Sequence, residues 1–146
     1  MFNYQKQEIV VLAKENGFRS ETLEKVLRLI DVLEFINKTD KLSPYLVLKG
    51  GTAINFTIFN LPRLSVDIDL DFSFNGSKDE MLVKRKEITA ILKRYMQINN
   101  YNIDGESKFR HALDSFVFAY NNNFGNKDKL KIEINYMNRV HIYPPI

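Results

Sequence analysis

"LKGGTAINFTIFNLPRLSVDIDLDF", residues 48–72, is the stretch that decides the fold. It begins with a glycine pair, Gly50 and Gly51, continues through a short apolar run, and ends with aspartates at every second position. The apolar residues before the glycines predict a buried strand, and the run after them predicts a short helix that ends at Pro62. The strict alternation that follows predicts a second strand. The stretch therefore predicts a strand, a tight turn, a helix and a strand in succession.

Helical and strand patterns continue on both sides of this stretch. We predict a helix over residues 4–14 with Gly17 as its stop, a second helix capped by Ser20 that runs to Asn37, and a long helix that begins with the capping box "SKDE" at Ser77. Further on, "DSFVFAY" and "KLKIEINY" flank the polar segment "NNNFGNKDK" and predict a hairpin with a long loop. These elements predict an α+β (mixed α/β) fold, a mixed sheet flanked by helices.

Composition limits the class of protein. A chain of 146 residues with 45% hydrophobic residues suffices for one compact domain, which we expect to span residues 1–146. Without cysteine there are no disulfides or thiolate zinc sites, and the two histidines, His111 and His141, receive no role. The net charge of +3 permits contact with nucleotides or nucleic acid. No apolar run has membrane-spanning length, so we expect a cytoplasmic protein with no membrane partner.

The alternating aspartates carry the chemistry that the sequence offers. Successive side chains of a strand point to opposite faces, so Asp67, Asp69 and Asp71 share one face while the apolar residues between them meet the core. Carboxylates this close repel one another, and a divalent cation offsets that repulsion. Oxygen ligands favour Mg²⁺ or Mn²⁺ over zinc or copper, and paired carboxylates that hold such ions are typical of phosphoryl and nucleotidyl transfer.

The aspartate spacing is compatible with two other kinds of structure. The spacing also opens a calcium-binding EF-hand loop, but the sixth position, which needs glycine, is Phe72, and the twelfth, which needs glutamate, is Lys78. The EF-hand is therefore excluded. A solvated acidic face on a half-exposed strand stays open as an alternative to a metal site.

The glycine pair favours an anion site beside the aspartates. Gly50 and Gly51 let the backbone approach an anion closely, and Thr52 with the first amides of the predicted helix would direct donors toward phosphate. The longer G-x-x-x-x-G-K-[ST] pattern of a P-loop is not present. An ordinary glycine turn between a strand and a helix is the alternative.

Together, "KGGTAINF" and "RLSVDIDLDF" resemble the signature motif of the AbiEii family of nucleotidyltransferase toxins, which belong to the DNA polymerase β-like superfold. The shared features are a glycine pair that opens a helix and an acid-x-acid pair on the next strand. The family version adds a lysine before the glycines and Arg-x-Ser before the acids, which match Lys49, Arg63 and Ser65.

The resemblance implies roles for individual residues. Asp67 and Asp69 would hold the metal ions, and a third carboxylate from a later strand would be Glu133 in "LKIEINY". A surface glutamate paired with a neighbouring lysine is the alternative for Glu133. The implied nucleotide-binding residues are Lys49, Gly50, Gly51, Thr52, Arg63 and Ser65.

The resemblance also implies a function. It predicts a Mg²⁺- or Mn²⁺-dependent enzyme that transfers a nucleoside monophosphate from a nucleoside triphosphate to an acceptor hydroxyl. The expected acceptor is RNA or tRNA, and the enzyme is expected to act as a toxin with a cognate antitoxin. Because family members continue into a helical half with further basic residues, we expect this chain to correspond to the N-terminal half of that architecture and to transfer nucleotides poorly or not at all by itself. The alternative is a non-catalytic domain that retains the fold and binds nucleic acid or a protein partner.

Overall fold

The computed structural model of the protein describes residues 1–48 and 67–136. Two helices come first, α1 (Lys6–Asn16) and α2 (Ser20–Lys38), followed by strands β1 (Leu46–Leu48) and β2 (Asp67–Phe72) and by helix α3 (Lys78–Ile98). Strands β3 (Asn102–Ile103), β4 (Lys108–Phe109), β5 (Leu113–Asn121) and β6 (Lys127–Asn135) complete this part of the chain. The predicted α+β class is confirmed.

The strands form one mixed sheet in the order β1-β2-β6-β5, with β3 and β4 both paired to the outer edge of β5. The β1–β2 and β5–β6 pairs are antiparallel, as are those of β3 and β4 with β5, whereas β2 and β6 run parallel. A parallel pair needs a crossover connection, and the chain between β2 and β6 contains α3 and three further strands. The sheet therefore brings together residues that are far apart in the sequence.

One face of the sheet is the core. Helices α2 and α3 cover it, and their buried apolar residues pack against the inward side chains of β2, β5 and β6. The buried strand residues of this core include Ile68, Leu70, Phe72, Phe116, Phe118, Ile132 and Ile134. The opposite face carries the polar members of the alternation, so one period-2 pattern sets both the core and the polar surface.

A buried ion pair joins α2 to the turn between β5 and β6. Glu24 is fully buried and accepts hydrogen bonds from Arg28 Nε at 2.9 Å and from the backbone N–H of Asn123 at 2.9 Å. Arg28 also donates to the Tyr101 hydroxyl at 2.9 Å, and its guanidinium lies 4.3 Å from the centre of the Tyr120 ring. This network fixes the end of the hairpin against the helix.

The structure corrects two local predictions. Ser20 is the first helical residue of α2 and not its cap; Arg19 takes the N-cap position and makes no side-chain cap bond. The hairpin loop is shorter than predicted, because residues 127–129 of the polar segment belong to β6. Their charged side chains are tolerated at the end of the strand, where Lys25 pairs with Asp128 at 3.0 Å.

Other local predictions are confirmed. Gly17 ends α1 with φ of 73°, a left-handed conformation that costs glycine little. Ser77 and Glu80 form the predicted capping box at the start of α3. The predicted helix between the glycine pair and Pro62 lies outside the described residues. No helix in the described ranges combines the length and the apolar character that a membrane span requires.

Candidate active site

The acidic face of β2 meets the polar face of β6 in register. Asp69 lies directly opposite Glu133, and Asp67 lies opposite Lys131. Because facing residues on neighbouring strands point to the same side of a sheet, Asp67, Asp69 and Glu133 share one surface. The structure thus places on one face of the sheet the three acids that the resemblance implies as metal ligands.

The positions of these acids follow from the residues between them. Ile68 and Leu70 of β2 and Ile132 and Ile134 of β6 are at most 2% exposed and pack into the core. A slip of one residue in either strand would place its acids in that core, so burial of the aliphatic side chains fixes the register. The acid cluster is therefore held by the same packing that holds the fold.

The acids perturb one another. Partial burial raises the pKa of Glu133, Lys131 opposes this rise, and the nearby charge and hydrogen bonding of Asp69 add to it. Burial likewise raises the pKa of Asp67, which Lys131 lowers and Asp69 raises further. The Lys131 ammonium lies 3.9 Å from Glu133 Oε1. One lysine thus offsets part of the repulsion within the acid cluster.

Asp71 continues the acidic face toward β1. It lies opposite Val47 on one side and Asn135 on the other. Its Oδ1 atom is buried and has no hydrogen-bond partner among the described residues. Asp71 receives no role here.

The donor atoms of the cluster suit a hard divalent cation, since all three acids offer carboxylate oxygen. Nevertheless, within residues 1–48 and 67–136 no three histidine, cysteine, aspartate or glutamate side chains stand close enough to hold a metal ion between them. Asp69 and Glu133 are direct neighbours, whereas Asp67 and Glu133 are diagonal neighbours across the β2–β6 pair. The described side-chain positions therefore do not themselves form a three-carboxylate metal site.

The residues predicted to bind nucleotide all lie outside the described part of the chain. They are Lys49, Gly50, Gly51, Thr52, Arg63 and Ser65. In the sequence they belong to the segment that joins β1 to β2, and β1 is the neighbour of β2 on the side away from β6.

A groove on the same sheet surface was not predicted from the sequence. It has a volume of about 420 Å³ and extends from Glu133 across β5 to the edge strand β4. Its walls are formed by Glu106, Lys108, Arg110, Leu113, Ser115, Val117, Lys131 and Glu133. The available signal was the alternation of Lys108 and Arg110 in "SKFRH", which marks one polar face of a short strand.

Comparison with known proteins identifies a family. Neither the search of curated proteins nor the search of solved structures gave a match. The profile described as "Nucleotidyl transferase AbiEii toxin, Type IV TA system" matches residues 33–146, which include β1, β2, α3 and every later strand. Since this match covers well over half of the sequence, the chain belongs to the AbiEii family of nucleotidyl transferase toxins.

Proposed function

We propose that the protein is a metal-dependent nucleotidyltransferase whose catalytic acids are Asp67, Asp69 and Glu133. The observation that carries the proposal is the register of the β2–β6 pair, which sets Glu133 opposite Asp69 and on the same face as Asp67. Ordinary structural use of three acids at adjacent sheet positions is unfavourable, because like charges that face each other weaken the pairing. Family membership supports the same reaction class.

The proposed metal is Mg²⁺ or Mn²⁺, held by carboxylate oxygens of Asp67, Asp69 and Glu133. When bound, such an ion supplies Lewis-acid stabilisation of negative charge on the transferring phosphoryl group. The protein's own contribution is to fix the acids on two strands whose backbone positions are set by core packing. Binding of one ion by all three carboxylates would require a change in the described side-chain positions, since these do not stand close enough to hold an ion between them.

The nucleotide is proposed to bind beside β1. Gly50, Gly51 and Thr52 would contact the triphosphate, with Lys49, Arg63 and Ser65 as further contacts. The support is the sequence position of the glycines, since they directly follow β1, which pairs with the acid-bearing strand β2. The nucleoside triphosphate would therefore approach the acids from the β1 side of the sheet.

In the proposed reaction an acceptor hydroxyl oxygen bonds to the α-phosphorus and loses its proton. The bond from that phosphorus to the bridging oxygen of the β-phosphate breaks, and pyrophosphate leaves. The proposed acceptor is RNA, with tRNA as the first candidate, and the proposed location is the cytoplasm. The family description supports a further part of the proposal, a toxin with a cognate antitoxin.

A transfer assay tests the proposal. The protein is incubated with total RNA, Mg²⁺ or Mn²⁺, and each of the four labelled nucleoside triphosphates in turn. Because this chain is expected to transfer poorly by itself, we expect weak, metal-dependent labelling of RNA with at least one nucleotide, and loss of that label in Asp69→Asn. Asp79→Asn, at an exposed position in the first turn of α3, is the matched control and should transfer normally.

Absence of transfer, together with no rise in melting temperature on addition of Mg²⁺ or Mn²⁺ and nucleoside triphosphate, would favour the non-catalytic alternative, a domain that keeps the fold and binds nucleic acid or a protein partner. Transfer that persists in Asp69→Asn would show that another site carries the reaction.

A further inference from the structure

The groove beside Glu133, defined by Lys108, Arg110, Leu113, Ser115, Val117 and Lys131, opens directly onto the proposed catalytic acids. Asp69, Glu133, Ser115 and Lys108 occupy successive strands in one row across the sheet. With neighbouring strands about 4.8 Å apart, Lys108 lies about 14 Å from Asp69 along this row. The groove lies on the far side of the acids from β1, where the nucleotide is proposed to bind.

The positive charge of this groove is largely uncompensated. Lys108 and Arg110 are exposed, and neither forms an ion pair with any carboxylate of the described residues. The one acid of the outer wall, Glu106, is paired with Lys129 at 2.5 Å. Lys108 on β4 and Arg110 just after it therefore face open solvent across an apolar floor of Leu113 and Val117, whereas the third cation of the groove, Lys131, lies 3.9 Å from Glu133 Oε1.

The basic surface continues around the edge of the sheet. Arg110 also borders a second depression, of about 580 Å³, between β4 and α3, where Lys86 and Lys93 add two more cations. Phe109 lies in this depression and is 50% exposed. Its ring contacts Phe116 edge-on at 5.2 Å between centroids, and the Lys93 ammonium lies 5.0 Å from the ring centre, so this lysine would move aside where a base stacks on the ring.

The backbone of this edge is held firmly. The N–H of Arg110 donates to the carbonyl of Leu113 at 2.8 Å, and the carbonyl of Arg110 accepts from Arg85 at 2.5 Å. Arg85 itself is ion-paired with Asp114 at 2.6 Å. The side chains of Lys108, Phe109 and Arg110 are therefore presented from a fixed segment, which lowers the entropy lost when they bind a ligand.

Basic side chains interleaved with an exposed aromatic ring fit single-stranded nucleic acid, because cations contact the phosphates while a ring provides a stacking surface for a base. We propose that the acceptor RNA lies in this groove and crosses the edge at β4, with Lys108 and Arg110 on its phosphates and Phe109 stacked against a base. The proposal rests on the proposed function and assigns the side of the acids from which the acceptor enters. Phosphates bound at Lys108 would belong to nucleotides a short distance from the reacting end.

An acidic protein partner would be attracted to the same charges. The RNA is favoured because the groove is continuous with Glu133, so its occupant reaches the proposed catalytic acids, and because an exposed aromatic ring lies between the cations. The experiment distinguishes the two partners.

Binding is measured by fluorescence anisotropy with a labelled single-stranded RNA of mixed sequence, without nucleotide or metal, over a series of salt concentrations. In Lys108→Gln combined with Arg110→Gln we expect Kd to rise about tenfold or more, and the slope of log K against log salt to fall by about 1.4, since each lost phosphate contact removes about 0.7 for a single strand. Phe109→Ala should weaken binding about 5- to 100-fold and leave the salt slope unchanged.

The matched control combines Lys14→Gln with Lys38→Gln, two exposed lysines on α1 and α2, and should bind as the unaltered protein does. The groove variants should also keep the melting-temperature shift caused by Mg²⁺ and nucleoside triphosphate, which reports on the proposed metal and nucleotide site. A shift that persists in Asp67→Asn with Asp69→Asn would count against the proposed function, whereas unchanged RNA binding in the groove variants would count against the groove, so the two failures are distinguishable.

Three results would overturn the groove proposal. The first is that no RNA binding is detected at low salt. The second is that the variant with Lys108→Gln and Arg110→Gln keeps its Kd and its salt slope. The third is that this variant keeps its RNA binding but no longer binds the purified cognate antitoxin. The last result would make the surface a protein interface.

Discussion

Glu133 on β6 lies opposite Asp69 on β2, in the only parallel strand pair of the described sheet, and so adds an acid from a second strand to the proposed metal site. In an active preparation, Glu133→Gln should reduce metal-dependent transfer by about 100-fold or more, since an amide is a weaker ligand than a carboxylate and carries no charge. Single-turnover transfer against Mg²⁺ concentration measures the effect. A variant that retains normal transfer would remove Glu133 from the site.

The same variant should behave differently in a stability measurement without metal. Because the pKa of Glu133 is raised in the folded protein, the folded state binds its proton at a higher pH than the unfolded state does. Stability therefore falls as the pH rises from the ordinary pKa of glutamate to the raised one. At neutral pH in EDTA we expect the melting temperature of Glu133→Gln to equal that of the unaltered protein or to exceed it by up to about 4 °C. The difference in melting temperature should disappear near pH 4. A lower melting temperature at neutral pH would mean that the carboxylate supports the fold.

At the scale of single residues, alternation was the useful signal. The faces of Asp67 and Asp69 followed from a period of two, and Ile68 and Leu70 are buried between them as expected. Which residue lies across from Asp69 depends on strand register, which no local pattern specifies. For the same reason the groove residues Lys108 and Arg110 were missed, since their closeness to the acids arises only when β4, β5 and β6 pair.

Among the elements, α2 offers a sharp test, because Glu24 joins it to the hairpin through Arg28 and the backbone of Asn123. Glu24→Ala leaves a buried guanidinium and a buried amide without their acceptor, and should lower the free energy of unfolding by about 3–5 kcal/mol. Urea denaturation followed by circular dichroism measures the loss.

Two companion variants sharpen that measurement. Glu24→Gln keeps an acceptor for Asn123 but loses the charge that faces Arg28, so its cost should be smaller than that of alanine. Glu34→Ala, at an exposed position of the same helix, should change stability by less than about 0.5 kcal/mol. Equal losses for Glu24→Ala and Glu34→Ala would show that the buried pair contributes nothing beyond helix propensity.

The predicted boundaries of helices and strands agree best with the structure where nearby residues in the sequence mark the boundary. Gly17 and the box formed by Ser77 and Glu80 define helix boundaries through contacts within a few residues. At Ser20 the sequence offered a good capping side chain, but the helix begins one residue earlier than a serine cap requires. The hairpin loop was overestimated because "NKDK" is polar, whereas the pairing of β6 with β5 extends to Lys127. Long-range pairing overrides local polarity there.

For the whole molecule, ligand binding and stability are linked. A ligand that binds only the folded protein raises the free energy of unfolding by about 2.7 kcal/mol at 100 times its Kd. Mg²⁺ or Mn²⁺ with a nucleoside triphosphate should therefore raise the melting temperature, and Asp67→Asn combined with Asp69→Asn should abolish the rise. Thermal melts with and without the ligands provide the measurement.

The control for this experiment changes two exposed acids far from the cluster in sequence, Glu34→Gln with Asp40→Asn, and should keep the full rise. If the Asp67 and Asp69 double variant also keeps it, the metal and nucleotide bind elsewhere on the protein.

The fold class could be predicted from the sequence, but the parallel pairing of β2 with β6 could not. Helical and alternating patterns identify the elements, and antiparallel pairing of β5 with β6 follows from their closeness along the chain. The β2–β6 pair joins segments on either side of α3, and its place in the sheet depends on the total packing of the core.

The central position of β6 also has a consequence for synthesis. Of the strands described, β6 is the last to leave the ribosome, yet it lies between β2 and β5 and joins the two parts of the sheet. A nascent chain that has not yet released β6 has neither Glu133 nor a partner for the inner edge of β2. Contacts so distant in sequence form slowly, because the loop between them must close first. If the proposed acids carry the activity, an incomplete chain cannot act on the cell's RNA while it is still being translated.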